Sequence, residues 1–223
     1  MRLRSPITIA AAAALLLVLL GLAYWGYSGY KKRELHGTVV ALAADATARL
    51  RDALQLRGSG AGELERLEGH FKALSAATHR LSGLESWRNA PLTDAAQQYL
   101  DEAQALLRRR IAVQRTRDAV LADVNSLSEH LHAARGRSGG WIRDAVALKQ
   151  QLERDFFDYR LAEGGLQKSF QAMPNARRQL APLIAPALLM EDGPFTDARN
   201  RLTNASAQLA QQVEAARKLP APR

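Results

Sequence analysis

The sequence predicts an all-α protein. A single N-terminal transmembrane helix precedes an up-down antiparallel helical bundle of about four long helices plus a short, proline-broken element. Three observations support this fold class. Residues 5–30 contain no charged side chain. The rest is rich in Ala, Leu, Arg and Gln and poor in aromatic and β-branched residues, which favours helix over strand. Apolar residues also recur at spacings of three and four along several stretches that Gly or Pro separates.

The uncharged N-terminal run has the length and the border of a membrane anchor. As a helix, residues 5–30 span about 39 Å, whereas a bilayer core is about 30 Å thick and the apolar part of a cleaved signal peptide is about 7–15 residues long. Aromatic rings and then cations follow, as in helices that end at headgroup level. We therefore predict the lipid bilayer as a partner, and a membrane-interface band formed by Tyr24, Trp25, Tyr27, Tyr30, Lys31, Lys32 and Arg33.

A cleaved secretion signal is the alternative for the same residues. Arg2 and Arg4 form a basic start, and Gly21 and Ala23 are small residues at positions −3 and −1 of a cut before Tyr24. The length of the apolar run and the aromatic and cationic residues at its end favour retention.

The charges that flank the anchor leave its orientation nearly balanced, because Arg2, Arg4 and the terminal amine face three cations at the other end. The very short tail favours an exported body, and the absence of cysteine suits an oxidising compartment. We expect a single-pass protein of a bacterial inner membrane with a periplasmic body, a cytoplasmic body being the alternative. The predicted parts are a cytoplasmic tail at 1–4, a transmembrane anchor at 5–30 and an extracytoplasmic helical-bundle domain at 31–223.

Segments that contain Gly or Pro divide the body into helices. A first helix is predicted from about 31 to 57, where the Gly-rich residues 58–62 end it. A second helix, from about 61 to 88, has apolar residues that alternate at +3 and +4, and it stops before Pro91. A third helix follows with Thr93 as its N-cap and is unusually long.

The C-terminal third of the chain is less regular. A fourth helix is predicted from Trp141 toward the Gly-Gly pair at 164–165, and it resumes before Pro174. The prolines between 174 and 194 allow only short or kinked helical pieces. The apolar stretch LAPLIAPALLM within them is interpreted as a cap over one end of the bundle, with a docking surface as the alternative. The last helix begins near Thr196.

The body carries no recognisable catalytic or metal-binding constellation. The absence of cysteine excludes zinc ribbons and thiol chemistry. Glu129 and His132 form one Glu-x-x-His sequence, but a di-iron bundle needs two such pairs. Asp155 and Asp158 could act in acid–base chemistry, although acids on an exposed helix flank are usually solvated. We predict no catalytic residue, no cofactor, no metal site and no enzymatic activity.

The most basic segment is RRRIAVQRTR at 108–117, in a chain whose formal net charge is +9. Its arginines spread around the third helix and should meet acids of neighbouring helices or of a protein partner. Nucleic acid is not expected as a partner, because aromatic or recognition elements are not interleaved with the cations. We predict a candidate interaction surface formed by Arg108, Arg109, Arg110, Arg115 and Arg117.

These features predict a non-enzymatic, single-pass membrane-anchored protein. We expect it to act as an accessory, scaffold or interaction module of a bacterial envelope assembly, with a protein partner in the cell envelope. The alternative is a ligand-binding bundle that signals through a separate membrane partner, because the architecture resembles the helical sensory ectodomains of bacterial receptors. The apolar seam at 64–81 could close within one chain or between two, so a homo-oligomer is a further expectation.

Overall fold

The computed structural model describes residues 6–56, 61–133 and 139–218, and it describes their side chains from residue 15 onward, except at residue 61. These residues form five α-helices and two short 3-10 turns, and no strand occurs among them. The predicted all-helical fold class is confirmed. The elements are α1 (Pro6–Gln55), α2 (Ala61–Ser82), a 3-10 turn (Ser86–Arg88), α3 (Ala90–His132), α4 (Gly139–Leu180), a second 3-10 turn (Pro186–Leu188) and α5 (Asp192–Lys218).

Two of the predicted segments lie wholly or partly outside the described residues. The tail at 1–4, with Arg2 and Arg4, lies outside the described residues. Residues 58–60 of the predicted Gly-rich stop at 58–62 lie outside them as well.

α3 is the central helix of the bundle and contacts α1, α2, α4 and α5. Residues further along α3 contact residues that come earlier in α4. Arg109 donates a hydrogen bond to Ser169, whereas His130, near the other end of α3, hydrogen-bonds the backbone of Trp141. α3 and α4 are therefore antiparallel, as the up-down prediction requires. The described residues form five helices, where about four long helices plus a short proline-broken element were predicted.

α1 is one uninterrupted helix of 50 residues, about 75 Å long. The first body helix, predicted from about residue 31, therefore continues the N-terminal segment without a break from Pro6 onward. No side chain between residues 15 and 34 is buried. The C-terminal half packs on the bundle through Leu35, Val39, Leu42, Ala43, Ala46, Leu50, Ala53 and Leu54. α1 thus has a packed half from Leu35 onward and, at residues 15–34, a free half without buried side chains.

The transmembrane part of the predicted fold class is not supported by the described side chains. Across residues 15–56, 62–133 and 139–218, no helix is both long and apolar enough to cross a membrane. Of the uncharged run 5–30, only residues 15–30 belong to that set.

The junction between α2 and α3 corrects two expectations. α2 ends at Ser82, earlier than predicted, and the 3-10 turn Ser86–Arg88 follows. α3 begins before Pro91, because a proline in the first helical turn lacks only an N–H that has no helical partner there. Thr93 is not the N-cap: it lies inside α3, its hydroxyl donates to the carbonyl of Asn89 (3.2 Å), and Asn89 is the N-cap residue.

The predicted break at residues 164–165 and the stop at Pro174 were wrong, because α4 runs without interruption from Gly139 to Leu180. Packing compensates for the weak helix formers, since tertiary contacts supply most of the stability of a helix in a protein. The buried residues on both sides of Pro174 are Leu166, Ser169, Phe170, Met173, Ala176 and Leu180.

The apolar link between α4 and α5, residues 181–191, lies against α1 and α3. Ile184 and Met190 are buried in it, and its 3-10 turn contacts α1. The backbone of Met190 hydrogen-bonds the hydroxyl of Tyr99, which also shares a 2.8 Å hydrogen bond with Thr47. Because both partners lie part way along their helices, the link covers a side of the bundle rather than the predicted end.

Candidate functional site

The membrane-interface band lies at the end of the free half of α1. Every large apolar side chain from Leu15 to Leu22 is between 57 % and 70 % exposed, and successive residues of a helix face all sides of it. Lys31 pairs with Glu34 at 2.8 Å. The other residues of the band are exposed: Tyr24, Trp25, Tyr27, Tyr30, Lys32 and Arg33.

The Trp87 corner, which is the 3-10 turn Ser86–Arg88, lies beside this band. The guanidinium carbon of Arg88 is 4.3 Å from the ring centroid of Trp87 and 5.9 Å from that of Tyr27. A hydrogen bond from Arg88 lowers the pKa of the Glu85 carboxyl, and Trp87 is 68 % exposed. Nothing in the local sequence indicates this corner, because its approach to Tyr27 depends on how the α2–α3 hairpin packs on α1.

The five arginines of the predicted interaction surface do not form one surface. Two of them face α2: the guanidinium of Arg108 lies 5.4 Å from the ring centroid of Phe71, and Arg115 pairs with Glu68 at 2.7 Å. Arg109 faces α4 instead, where it donates to a serine hydroxyl at 2.5 Å. The remaining two line a cavity.

This arginine-lined cavity, of about 520 Å³, lies where α1 ends between α3, α4 and α5. Its wall is apolar and buried, and it includes Val113, Tyr159, Leu166, Phe170 and Ala198. Its rim is polar and at least partly exposed, and it consists of Arg110, Gln114, Arg117, Arg201 and Gln208. None of the described residues that line the cavity is acidic.

Two of the rim arginines hold the C-terminal end of α1. Arg110 donates from Nη2 to the carbonyl of Leu56 at 2.7 Å, and Arg201 donates from Nη2 to the carbonyl of Leu54 at 2.8 Å. The last carbonyls of a helix lack helical partners and carry partial negative charge, so cations are favourable there. The third, Arg117, makes no hydrogen bond or ion pair to any residue of the described chain.

The charge of Arg110 is poorly compensated in this position. Burial lowers the pKa of its guanidinium to about 10; the charge of Glu63 opposes this effect and the charge of Arg201 adds to it. A guanidinium ordinarily keeps its proton above pH 12. Arg110 and Arg117 belong to the predicted interaction surface, whereas Arg201 was not predicted, because nothing in its local sequence indicates which carbonyl it reaches.

A pair of acids joins α3 to α4. The carboxyl of Asp123 faces that of Asp155, and a hydrogen bond between them requires a proton on one of the two; Oδ2 of Asp123 has no other hydrogen-bond partner among the described residues. Burial raises the pKa of Asp123 to about 6, and the hydrogen bond and charge of Asp155 act in the same direction. Gln151 donates to Oδ1 of Asp155 at 3.0 Å. Asp158, the predicted partner of Asp155, is exposed.

The histidines near the end of α3 make local contacts. The His130 ring stacks on Trp141 with centroids 4.9 Å apart, and Nδ1 of His132 lies 2.7 Å from the carbonyl oxygen of Ser128. Within residues 6–56, 61–133 and 139–218, no group of three or more His, Cys, Asp or Glu is placed to hold a metal ion.

Two features therefore stand out as candidate sites: the membrane-interface band with the Trp87 corner, and the arginine-lined cavity. Comparison of this chain with models of protein families, with curated proteins and with solved structures finds no match in any of the three.

Proposed function

We propose that this protein is a non-enzymatic, single-pass membrane-anchored helical protein that serves as an accessory, scaffold or interaction module of a bacterial envelope assembly. The observation that carries the proposal is the free half of α1. Its large side chains at residues 15–22 are apolar and exposed on every side. A helix that is apolar all round is stable only in an apolar surrounding, either a protein core or a bilayer, and the described part of this chain supplies no such core around it.

Length and backbone conformation support a bilayer as that surrounding. The helical backbone begins at Pro6, and residues 5–30 contain no charged side chain. A helix from residue 6 to 30 is about 38 Å long, which exceeds the hydrocarbon core of about 30 Å.

The membrane-interface band and the Trp87 corner support a headgroup level near residues 24–33. Trp and Tyr are enriched where a protein crosses from hydrocarbon to water, and basic residues follow them. The Trp87 corner adds an exposed indole and a guanidinium from a distant part of the chain beside Tyr27. Two segments far apart in sequence therefore present the same chemistry at one end of the bundle.

The outer face of α4 supports a protein partner for the body. Ile142, Val146, Phe157 and Leu161 are large apolar residues that are each about half exposed or more. At helical spacing these four residues fall on one side of α4, and apolar patches exposed on one face are typical of interaction sites.

The membrane part of the proposal is tested by expressing the full chain in a bacterium with a reporter at its C-terminus. Alkaline phosphatase is active only outside the cytoplasm, whereas green fluorescent protein exported by the general secretion route does not fluoresce. We expect phosphatase activity, no fluorescence, and retention of the intact chain in membranes after carbonate washing. Release by carbonate, or a mature chain that begins at Tyr24, contradicts the anchor, and a fluorescent fusion contradicts the periplasmic body.

The partner is tested with a photo-crosslinking amino acid at Phe157 of the membrane-bound chain. The exposed position Arg199, on another helix, is the matched control. We expect a discrete higher-mass adduct from Phe157 and not from Arg199. Adducts only with the chain itself indicate a homo-oligomer, and the absence of any adduct contradicts the scaffold function.

A ligand-binding bundle that signals through a separate membrane partner is the second candidate function. The arginine-lined cavity is the observation that favours it, because a partly apolar cavity of about 300–1,000 Å³ with a few convergent polar groups is the usual form of a small-molecule site. A ligand that binds only the folded state raises the unfolding temperature in proportion to its occupancy, so thermal unfolding of the full chain with candidate ligands tests it.

A further inference from the structure

We propose that the arginine-lined cavity binds a soluble organic oxyanion, that is, a phosphate, sulfate or carboxylate joined to an apolar group. This inference rests on the second candidate function and names its ligand class. Three properties of the cavity carry it: an apolar wall, a cationic rim whose described residues include no acid, and its distance from the membrane-interface band.

The apolar wall sets the first requirement for the ligand. Val113, Leu166, Phe170 and Ala198 are buried and line the cavity, and about 520 Å³ is space for an aromatic or short aliphatic group. Inorganic phosphate alone would leave this wall in contact with water, whereas an apolar group would remove that surface from water.

The rim sets the second requirement. Three guanidinium groups, of Arg110, Arg117 and Arg201, converge on the cavity, and its described lining residues include no acid. Each guanidinium has five N–H donors in a planar fork that matches an oxyanion. Arg110 and Arg201 each use one donor on a carbonyl of α1, and Arg117 uses none on another described residue.

Electrostatics favour an anion between these groups. The positive charge of Arg110 is disfavoured chiefly by burial; the charge of Glu63 partly compensates it, and the nearby charge of Arg201 disfavours it to a smaller extent. A bound oxyanion would compensate both charges and replace lost hydration with charge-assisted hydrogen bonds. The cavity therefore selects ligands by charge at its rim and by hydrophobicity at its wall.

The position of the cavity identifies the source of the ligand. It lies at the C-terminal end of α1, and from Tyr30 to Gln55 this helix rises about 38 Å. If Tyr30 marks the headgroup level, the headgroup of a lipid in the same bilayer cannot reach the rim. The same oxyanion chemistry must then come from a soluble compound.

The test is calorimetric titration of the full chain in nanodiscs of zwitterionic lipid with 1-naphthyl phosphate, inorganic phosphate and 1-naphthol, with empty nanodiscs as the blank. We expect saturable binding of naphthyl phosphate, and binding of each of the other two probes that is at least about tenfold weaker. Equal affinity for inorganic phosphate, or no saturable binding of naphthyl phosphate, overturns the proposal.

A matched pair of variants places the binding at the rim. Arg117→Met should lower the affinity for naphthyl phosphate about tenfold. Arg199→Met removes the same charge from an exposed position outside the cavity, and it should change this affinity by less than about twofold. Equal losses in both variants would mean that net charge, and not the cavity, attracts the probe.

A second variant keeps the charges and fills the space. Ala205 lines the cavity and is partly buried. Because a larger side chain there would fill the cavity, Ala205→Trp should also lower the affinity for naphthyl phosphate about tenfold or more. Unchanged affinity in this variant overturns the assignment to the cavity.

The last arm replaces the zwitterionic nanodiscs with anionic ones. The proposal expects unchanged affinity for the soluble probe, and competitive loss would assign the rim to lipid headgroups instead. Membrane retention of each variant, measured by carbonate washing, reports separately on the anchor.

Discussion

At the scale of single residues, Tyr99 joins three parts of the chain that are distant in sequence. Its ring is buried in α3, its hydroxyl shares a hydrogen bond with Thr47 of α1, and the backbone of Met190 in the apolar link bonds the same hydroxyl. A buried hydroxyl without a partner is costly, so the three groups stabilise one arrangement of α1, α3 and the link.

Replacing that hydroxyl tests its contribution. Tyr99→Phe should lower the free energy of unfolding by about 1–2 kcal/mol, because it leaves the Thr47 hydroxyl and the Met190 backbone group without their partner. The measurement is chemical denaturation of the full chain in mild detergent, followed by helical circular dichroism. Tyr24→Phe, at an exposed position, is the matched control and should have no effect; equal effects of the two changes would contradict the role assigned to Tyr99.

The Asp123–Asp155 pair predicts a dependence of stability on pH. Asp123 titrates near pH 6 in the folded chain and near pH 3.9 when unfolded. Between these values the folded state binds more protons than the unfolded state, so this pair makes stability fall as pH rises from about 4 to 6. Asp123→Asn retains the hydrogen bond without the charge and should remove this fall, with a gain of about 1 kcal/mol at pH 7 after allowance for solvent screening.

The readout is the free energy of unfolding measured at intervals between pH 4 and 8. Asp158→Asn is the control, because Asp158 is exposed and its replacement should leave the pH profile of the wild type intact. Parallel profiles for the wild type and Asp123→Asn would show that the shared proton does not contribute.

At the scale of elements, α4 is a helix that forms despite its local sequence. It contains the pair Gly164–Gly165 and, near its end, Pro174, and each weakens a helix in isolation. Buried side chains such as Leu166 and Phe170 hold this segment against α3. The helical conformation of α4 at these residues therefore depends more on tertiary packing than on helix propensity.

This balance predicts a stabilising substitution. A Cβ at Gly164 would meet no heavy atom within 4 Å, so Gly164→Ala should gain helix propensity without steric strain and raise the free energy of unfolding by about 0.5–1 kcal/mol. Gly165→Ala is the comparison, since its Cβ would make an ordinary 3.8 Å contact with Cδ of Arg109. Thermal unfolding of both variants measures the effect, and a loss of stability in Gly164→Ala would mean that α4 needs a flexible residue there.

At the scale of the whole molecule, the sequence identified the helices because apolar periodicity is a local signal. The ends of the helices were harder to predict from the sequence. Thr93 has the chemistry of an N-cap, but Pro91 fits the first turn better, so α3 begins earlier. The candidate sites depended on distant residues. Arg110 belongs to a conspicuous basic segment, whereas Arg201 joins it only because α5 runs beside the end of α1. Such convergence is a property of packing and is invisible to periodicity.

The three tryptophans report on how the whole molecule stands on a membrane. Trp25 lies in the membrane-interface band, Trp87 lies beside it, and Trp141 stacks on His130 near the far end of α3. Because α3 has 43 residues, its two ends are about 63 Å apart. An upright bundle therefore places two indoles at headgroup level and the third far into water.

Fluorescence quenching in single-tryptophan variants measures this arrangement, with the other two tryptophans replaced by Phe. In nanodiscs whose lipids are brominated next to the headgroup, Trp25 and Trp87 should be quenched and Trp141 should not, because bromine quenches only at near contact. Quenching of Trp141 would mean that the bundle lies flat on the membrane. Quenching of Trp25 alone would mean that the anchor holds the body away from the headgroups, so that the Trp87 corner does not lie at the interface.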